Sequence, residues 1–256
     1  MRYLRLFFLF WQTALMARME YQANFLTALG VVFLESAGML FGLYLFYQNG
    51  YDLGGWRWQE ALLVMAAARF LDGVFVSWIN PNLRRTSERV QQGTLDFVLL
   101  KPADSQFLVS VEQFTVWGLP SFLVAGMLFL YAARAVALNA GYFALALLLS
   151  GVLFYALAFA LATTTIWFVK LFNVVNFLGA VLWNAQYPVS AFDRPFRLLM
   201  TYAIPVYFMT TVPAEVALGR KGPGFLLALF GLSLGVFLFS RAFWRFALKS
   251  YSSASS

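Results

Sequence analysis

The sequence predicts an all-α integral membrane protein in which six transmembrane helices are joined by shorter polar elements. First, 62% of the 256 residues are hydrophobic and only 11% are charged, whereas soluble domains have about 45–50% apolar and about 25% charged residues. Second, 19% of the residues are aromatic, and aromatic side chains gather at membrane interfaces. Third, the apolar residues fall into six separate segments, and about 20 such residues suffice for one helix to cross the hydrocarbon core.

The predicted spans belong to one transmembrane domain over residues 23–256. The first four segments are long enough to cross a bilayer, the fifth is short and the sixth is adequate. The six segments are Ala23–Tyr47, Trp58–Asn80, Phe107–Tyr131, Gly141–Val169, Phe172–Gln186 and Gly224–Trp244.

Residues 1–22 are predicted to form an uncleaved amphipathic helix in the membrane interface, because apolar residues recur there at helical spacing. A signal peptide is the alternative, since Arg2 and Arg5 precede a short apolar run that Trp11 and Gln12 interrupt. The residues at helical spacing are Leu4, Phe8, Trp11 and Leu15.

Residues 187–213 contain too many prolines for one straight helix, because each proline removes a backbone donor and clashes with the preceding turn. Irregular backbone at membrane depth must be covered by protein or reached by water. The segment is therefore predicted to be a re-entrant-type hairpin of short helices at one membrane face. Its prolines are Pro188, Pro195, Pro205 and Pro213.

Charge bias predicts that both termini are cytoplasmic and that the Pro-rich hairpin is extracellular. With six spans and the N-terminus inside, eleven basic residues lie inside and six outside, and Arg69 lies within a span. Cytoplasmic loops carry the excess of Lys and Arg. A seventh span over residues 198–212 would turn the basic C-terminal segment outward, which the bias disfavours.

The residue inventory excludes several kinds of chemistry. The chain has no Cys and no His, so it forms no disulfide, Cys/His metal site, thiol nucleophile or histidine proton relay. It also lacks the GxxxxGK[ST] motif with which many ATPases bind nucleotide phosphates. We therefore expect no catalytic residues, no metal and no cofactor on this chain.

The longest polar stretch, residues 81–106, is predicted to hold a helix, a break at Gly93 and a short second helix that Thr94 caps and Pro102 ends. Leu95 and Leu99 would share one side of that second helix. One interpretation is a helix on the lipid surface, with nearby arginines among the headgroups. The other is a docking surface for a cytoplasmic partner.

The run GTLDFVLLKP, from Gly93 to Pro102, resembles the cytoplasmic loop of ABC-2-type exporter permeases, in a branch of mostly unassigned substrate whose members are about as long as this chain. The resemblance extends over nearly the whole chain. It includes the N-terminal helix, the six spans, and the hairpin sequences YPVSAFDRPFRLL and IPVYFMTTVPAE before the last span.

The resemblance implies a permease subunit of an ATP-driven exporter in the bacterial cytoplasmic membrane. It implies pairing with a second permease, identical or homologous, and with two copies of a cytoplasmic ABC ATPase that binds ATP and Mg. Membrane lipids are expected neighbours, and nucleic acid is not an expected partner. In this family a coupling helix in the first cytoplasmic loop inserts into the ATPase. The matching residues are Leu95, Asp96, Leu99 and Lys101 as contacts, Gly93 as the turn and Pro102 as the stop.

Three ionisable residues fall within the first two spans, where a lone charge costs roughly 2.5–3.5 kcal/mol on insertion scales. Arg69 and Asp72 are three residues apart and share a helix face, and Glu35 lies at a similar depth. We expect a Glu35–Arg69–Asp72 cluster, which either fastens two helices together or lines the substrate path. Glu112 is expected to reach the interface or to brace the loop.

The fifth span carries a row of amides that either bond to another helix or line the translocation route. These residues are Asn173, Asn176, Asn184 and Gln186.

The proposed cargo is amphipathic or lipid-like, because a pathway of Phe, Leu and Ala offers few polar contacts. Two other classes of function remain open. If the protein were a passive channel or transporter, the polar stretch of residues 81–106 would have no evident role. A lipid-modifying membrane enzyme would need clustered acidic residues, but the eleven acidic residues are scattered along the chain.

Overall fold

The computed structural model describes residues 22–51, 53–168 and 174–251, and these residues are helical with no β-strand among them. The predicted N-terminal helix of residues 1–22 therefore lies outside the described residues, apart from Gln22. The α-helices are α1 Gln22–Gln48, α2 Trp58–Gln91 with a π-helical segment at Phe75–Ile79, α3 Asp96–Leu99, α4 Ser105–Val111, α5 Leu119–Ala135, α6 Ala140–Thr163, α7 Val174–Asn184, α8 Arg194–Leu198, α9 Val212–Ala217 and α10 Gly224–Leu248.

Five helices in the described residues are long and apolar enough to cross a membrane. They correspond to five of the six predicted spans, and the protein is a multi-pass membrane protein. The five are Phe25–Gln48, Trp58–Gln91, Val116–Ala135, Ala140–Ile166 and Gly224–Leu248.

Helix α2 lies at the centre of the bundle and contacts α5, α6, α7 and α9. In its most apolar window 72% of the residues are buried, against 11% in α1. Small side chains such as Ala66, Ala67 and Ala68 let neighbouring helices approach α2 closely. At its first turn, the Glu60 carboxylate accepts a hydrogen bond from the Arg57 backbone N–H at 2.7 Å, as in a capping box.

Two predicted span boundaries are wrong. The second span was expected to end at Asn80, but α2 continues without a break to Gln91. The third was expected to be one helix over Phe107–Tyr131, but it is interrupted between α4 and the 3₁₀ turn Val116–Gly118 that leads into α5. Helix α7 has only 11 described residues, and five residues before it, 169–173, lie outside the described residues.

Pro81 lies just after the π-helical segment of α2, and the segment that interrupts the helix before α5 bonds to the carbonyls next to it. Proline has no backbone N–H, so the Ser77 carbonyl four residues earlier loses its helical donor. That carbonyl accepts instead from the Thr115 backbone N–H at 2.8 Å, and the Thr115 hydroxyl donates to the Val76 carbonyl at 2.9 Å. Thr115, in the segment before α5, thus supplies hydrogen-bond donors to the Ser77 and Val76 carbonyls of α2.

Asn82 joins the same two segments through its side chain, which is 2% exposed. Its amide group donates to the Gln113 carbonyl at 2.6 Å and its carbonyl oxygen accepts from the Gln113 N–H at 2.8 Å. Trp78 donates from Nε1 to the Ser110 carbonyl at 2.5 Å. Residues 76–82 and 110–115 therefore form one continuous hydrogen-bonded contact.

Gly118 lies at the closest approach of these segments. A Cβ atom added to Gly118 would lie 2.3 Å from the Gly73 carbonyl oxygen and 2.3 Å from Ser77 Oγ. No side chain fits in that space without movement of the backbone.

At the opposite end of the bundle, residues 187–217 form short helical turns between prolines. Pro195 and Pro213 each lie in the first turn of a short helix, where a missing N–H costs least. Pro188 precedes the 3₁₀ turn Val189–Ala191, and Pro205 separates two π-helical segments.

Several bonds fasten this end of the bundle. Trp56 donates to Ser190 Oγ at 2.9 Å. Arg220 pairs with Glu60 and lies over the Trp56 ring at 4.5 Å from its centroid. These contacts connect the start of α2 to the segments on both sides of α9.

Candidate functional site

The segment between α2 and α4, called here loop 92–104, begins with a backbone arrangement that needs glycine. Gly93 has φ +66°. The Gly93 N–H donates to the Val90 carbonyl at 3.3 Å, and the Thr94 N–H donates to the Arg89 carbonyl at 2.9 Å. This is the Schellman pattern that ends helices. The predicted break at Gly93 therefore has a defined conformation.

Replacing Gly93 with alanine is expected to destabilise the protein by about 1–2 kcal/mol, because a Cβ atom penalises left-handed backbone. Thermal unfolding of the purified protein in detergent measures the effect. Gly42→Ala is the matched control, since a Cβ at Gly42 meets nothing within 4 Å in the helix interior. Equal unfolding midpoints for both variants would show that Gly93 does not need its positive φ.

Helix α3 is a single turn with one face buried and one face exposed. Leu95, just before it, is 0% exposed and Val98 is 2% exposed, and both belong to the bundle core. On the other face Phe97 is 70% exposed and Leu100 is 81% exposed. Phe97 and Leu100 are three residues apart and therefore lie on the same side of the turn, where they form an exposed apolar surface.

Two expectations for this loop need correction. Thr94 does not cap α3, because the N-cap residue is Leu95 and no side chain bonds to the helix start. Leu95 faces the core of this chain, so its side chain is not available to a partner. Asp96 and Leu99 are half-buried, while Lys101 and Pro102 are exposed beside Leu100.

Loop 92–104 is held in place by the end of α10. Asp104 Oδ2 lies 2.6 Å from Arg241 Nη2, and Asp104 Oδ1 also accepts from the Phe107 N–H at 3.0 Å to cap α4. Trp244 donates from Nε1 to Ser105 Oγ at 3.1 Å. These bonds attach the loop to the end of α10.

A second ion pair fixes the end of α2 against the segment after α4. Arg89 and Glu112 meet through two pairs of atoms, one of them Nη2 and Oε1 at 2.6 Å. Their side chains are 13% and 24% exposed. The expected bracing role of Glu112 is consistent with this bidentate contact, whose geometry is among the stronger ones available to charged side chains.

Arg89→Ala and Glu112→Ala are each expected to destabilise the protein by about 1.5–3 kcal/mol, because each leaves a half-buried charge without its partner. The double variant is expected to cost less than the sum of the two. Thermal unfolding of the four proteins gives the coupling free energy. Additive effects would mean that the two side chains do not interact.

The three intramembrane charges lie near one another but form no direct ion pair in the described residues. Arg69 is 2% exposed and lies within electrostatic range of Glu35 and Asp72. Its Nη2 atom contacts Met39 Sδ at 3.4 Å, and its guanidinium lies 5.5 Å from the Trp183 ring centroid. Asp72 accepts from Ser121 Oγ at 2.7 Å instead. Arg69 therefore contacts α1 and α7, while Asp72 bonds to α5.

The amides expected on the fifth span are only partly described. Asn173 and the side chains of Asn176 and Asn184 lie outside the described residues. Gln186 is 5% exposed and donates from Nε2 to the Trp183 carbonyl at 3.3 Å. This contact is local and joins no second helix.

The described residues hold no group of three or more acidic side chains suited to a metal ion. The candidate site consists of the exposed apolar face of loop 92–104, which is bonded to α10. The hydrogen-bonded contact between residues 76–82 and 110–115 lies in the neighbouring part of the chain. The exposure of Phe97 and Leu100 and the contacts of Asn82 and Gly118 were not predicted from the sequence. An exact helical register for α3 would have shown that Phe97 and Leu100 are exposed. For Asn82 and Gly118 the indication in the sequence was Pro81, which leaves helix carbonyls without a donor.

The chain was compared with models of known protein families, and one of them matches it. The family model described as ABC-2 family transporter protein matches residues 33–255. A search of curated proteins found no match.

Proposed function

The chain belongs to the ABC-2 family of transporter proteins, and from this premise we propose that it is the permease subunit of an ATP-driven exporter. ATP and Mg bind to two copies of a cytoplasmic ATPase, and a second permease, identical or homologous, completes the membrane assembly. This chain itself performs no covalent chemistry. ABC-2 permeases generally work with ABC ATPase partners, which supports the proposal.

The proposed topology has six spans in the bacterial cytoplasmic membrane, with both termini in the cytoplasm. In this topology helix α7 forms the short fifth span, beside the five helices of sufficient length. Loop 92–104 then lies in the cytoplasm and residues 187–213 outside, as the distribution of basic residues favours.

The observation that carries the proposal is the exposed face of loop 92–104. Phe97 and Leu100 extend from a turn whose other face is buried in the core. The loop is also tied to α10 through the Asp104–Arg241 pair. A turn that is attached to the bundle and exposes apolar side chains is suited to a cleft on a partner. We propose that it docks on the ATPase, with Lys101 and Pro102 at its edge.

The proposed cargo is an amphipathic or lipid-like molecule. Helix α1 is largely exposed, with Leu26, Leu34 and Phe41 on its surface. A pathway beside such a helix offers mainly apolar contacts, interrupted by the half-buried Glu35. These features favour a molecule with a long apolar part and a small polar part.

The test is co-expression of the chain with its neighbouring genes, followed by purification in mild detergent. We expect an ATPase subunit to co-purify at one copy per permease and the complex to hydrolyse ATP. A stable assembly without a nucleotide-binding subunit would contradict the exporter and favour a passive transporter.

A further inference from the structure

Glu35 places a carboxylate deep inside the first candidate span, which extends from Phe25 to Gln48. At about 1.5 Å per residue the carboxylate lies about 15 Å from the first end of that span and about 20 Å from the second. It is therefore far from both ends of the helix. A single charge at this depth is costly, and such residues usually have a charged partner or mark the path of a transported molecule.

The charges around Glu35 leave one negative charge in excess. Arg69 lies within electrostatic range of both Glu35 and Asp72, so two carboxylates share one guanidinium. That guanidinium contacts Met39 Sδ at 3.4 Å and lies 5.5 Å from the Trp183 ring centroid. Arg69 Nε is buried without a hydrogen-bond partner in the part of the chain that the structure describes. Arg69 therefore attracts Glu35 through space but forms no direct ion pair with it.

The surface of α1 beside this carboxylate is open and apolar. Glu35 is half-buried, and Val31 and Gly38 lie on the same helix face, four residues before it and three after it. Val31 is 49% exposed, and a Cβ atom added to Gly38 would meet nothing within 4 Å. The neighbouring Leu34 is 76% exposed. A molecule that approaches α1 from the membrane thus meets apolar side chains around one acidic group.

From these observations we propose that the face of α1 formed by Val31, Glu35 and Gly38 binds cargo that carries one positive charge on an apolar body. Charges interact strongly in an apolar medium because little solvent screens them, so the excess negative charge selects a lipophilic cation over an anion of the same shape. The apolar body lies against the exposed surface of α1. This inference names the class of cargo and rests on the proposed function.

The experiment compares two probes of nearly the same shape and opposite charge, tetraphenylphosphonium and tetraphenylborate. Equilibrium dialysis measures their binding to the purified full chain in mild detergent, relative to detergent alone. We expect saturable binding of the phosphonium that weakens roughly tenfold to thirtyfold in Glu35→Gln, whereas borate binding is not weakened. Glu35→Asp is expected to keep part of the phosphonium affinity, because the charge remains on a shorter side chain.

The matched control is Asp193→Asn, which removes the same charge from an exposed position outside the five candidate spans. It is expected to keep the affinity for the phosphonium. Equal losses in Glu35→Gln and Asp193→Asn would overturn the site and leave only general charge attraction. Equal affinity of the wild-type protein for both probes would overturn it as well.

Two further measurements separate this site from other roles. If Glu35→Gln splits a permease dimer, seen by light scattering, and leaves phosphonium binding unchanged, Glu35 faces the second permease and the cargo site is overturned. Co-purification of the ATPase is measured separately. Phosphonium binding without any ATPase would keep the site and remove the ATP-driven exporter, whereas a bound ATPase without phosphonium binding would keep the exporter and remove the site.

Discussion

Replacing Phe97 and Leu100 together with serine is expected to abolish co-purification of the ATPase while leaving the permease folded. Both side chains are largely exposed, so their loss removes little from the core of this chain. Burying each of them in a partner is worth about 1.5–3 kcal/mol. Loss of both therefore weakens the complex by at least about a hundredfold. Co-purification yield and ATPase activity of the reconstituted complex measure the effect.

The control removes exposed aromatic area at the opposite end of the bundle. Tyr51→Ser combined with Tyr202→Ser changes two side chains that are 62% and 79% exposed, and it is expected to leave the ATPase bound. Leu95→Ala offers a second comparison, because it creates a cavity in the core and should lower the unfolding temperature. A complex that survives the Phe97 and Leu100 changes would mean that the ATPase binds elsewhere.

Replacing Gly118 with alanine is expected to destabilise the protein strongly. Its added Cβ atom would lie 2.3 Å from both the Gly73 carbonyl oxygen and Ser77 Oγ, and a backbone carbonyl cannot rotate away. Overpacking typically costs about 1–3 kcal/mol, and more where the backbone must shift. We expect the upper end of that range or beyond, with much of the protein lost during expression.

Gly126→Ala is the control for this prediction, because Gly126 lies in α5, which directly follows the turn that contains Gly118, and a Cβ there meets nothing within 4 Å. Alanine is expected to be neutral or slightly stabilising at that position, since glycine weakens a helix by about 0.5–1 kcal/mol. Thermal unfolding and yield of the two variants provide the comparison. Similar behaviour of both would mean that α2 and α5 are not in close contact at Gly118.

The all-helical membrane fold and most of the spans were predictable, because long apolar segments have few alternatives in a bilayer. The end of α2 was not, because hydropathy falls at Asn80 while the helix continues through polar residues to Gln91. Thr115 supplies to the Ser77 carbonyl the donor that Pro81 lacks. Ser77 and Thr115 are 38 residues apart in the sequence, so local sequence patterns could not predict this contact.

The candidate docking turn was predictable in position but not in orientation. The sequence marked Gly93 and Pro102 as its limits, and a turn does lie between them. A helix of 4 residues, however, gives too little periodicity to decide which apolar side chains face the core. Leu95 and Phe97 lie on opposite sides of the turn, and the packing of the turn against the bundle core decides which of them is buried.

Helix α2 extends from the bonded Trp56–Ser190 region at one end of the bundle to loop 92–104 at the other. Its 34 residues correspond to about 51 Å at about 1.5 Å per residue. The contact with Thr115 lies a little beyond the midpoint of α2, so α2 could tilt about this point. A tilt of about 5° there shifts either tip by roughly 2 Å. One continuous helix therefore connects the two ends of the bundle, so a change of its tilt would displace both ends together.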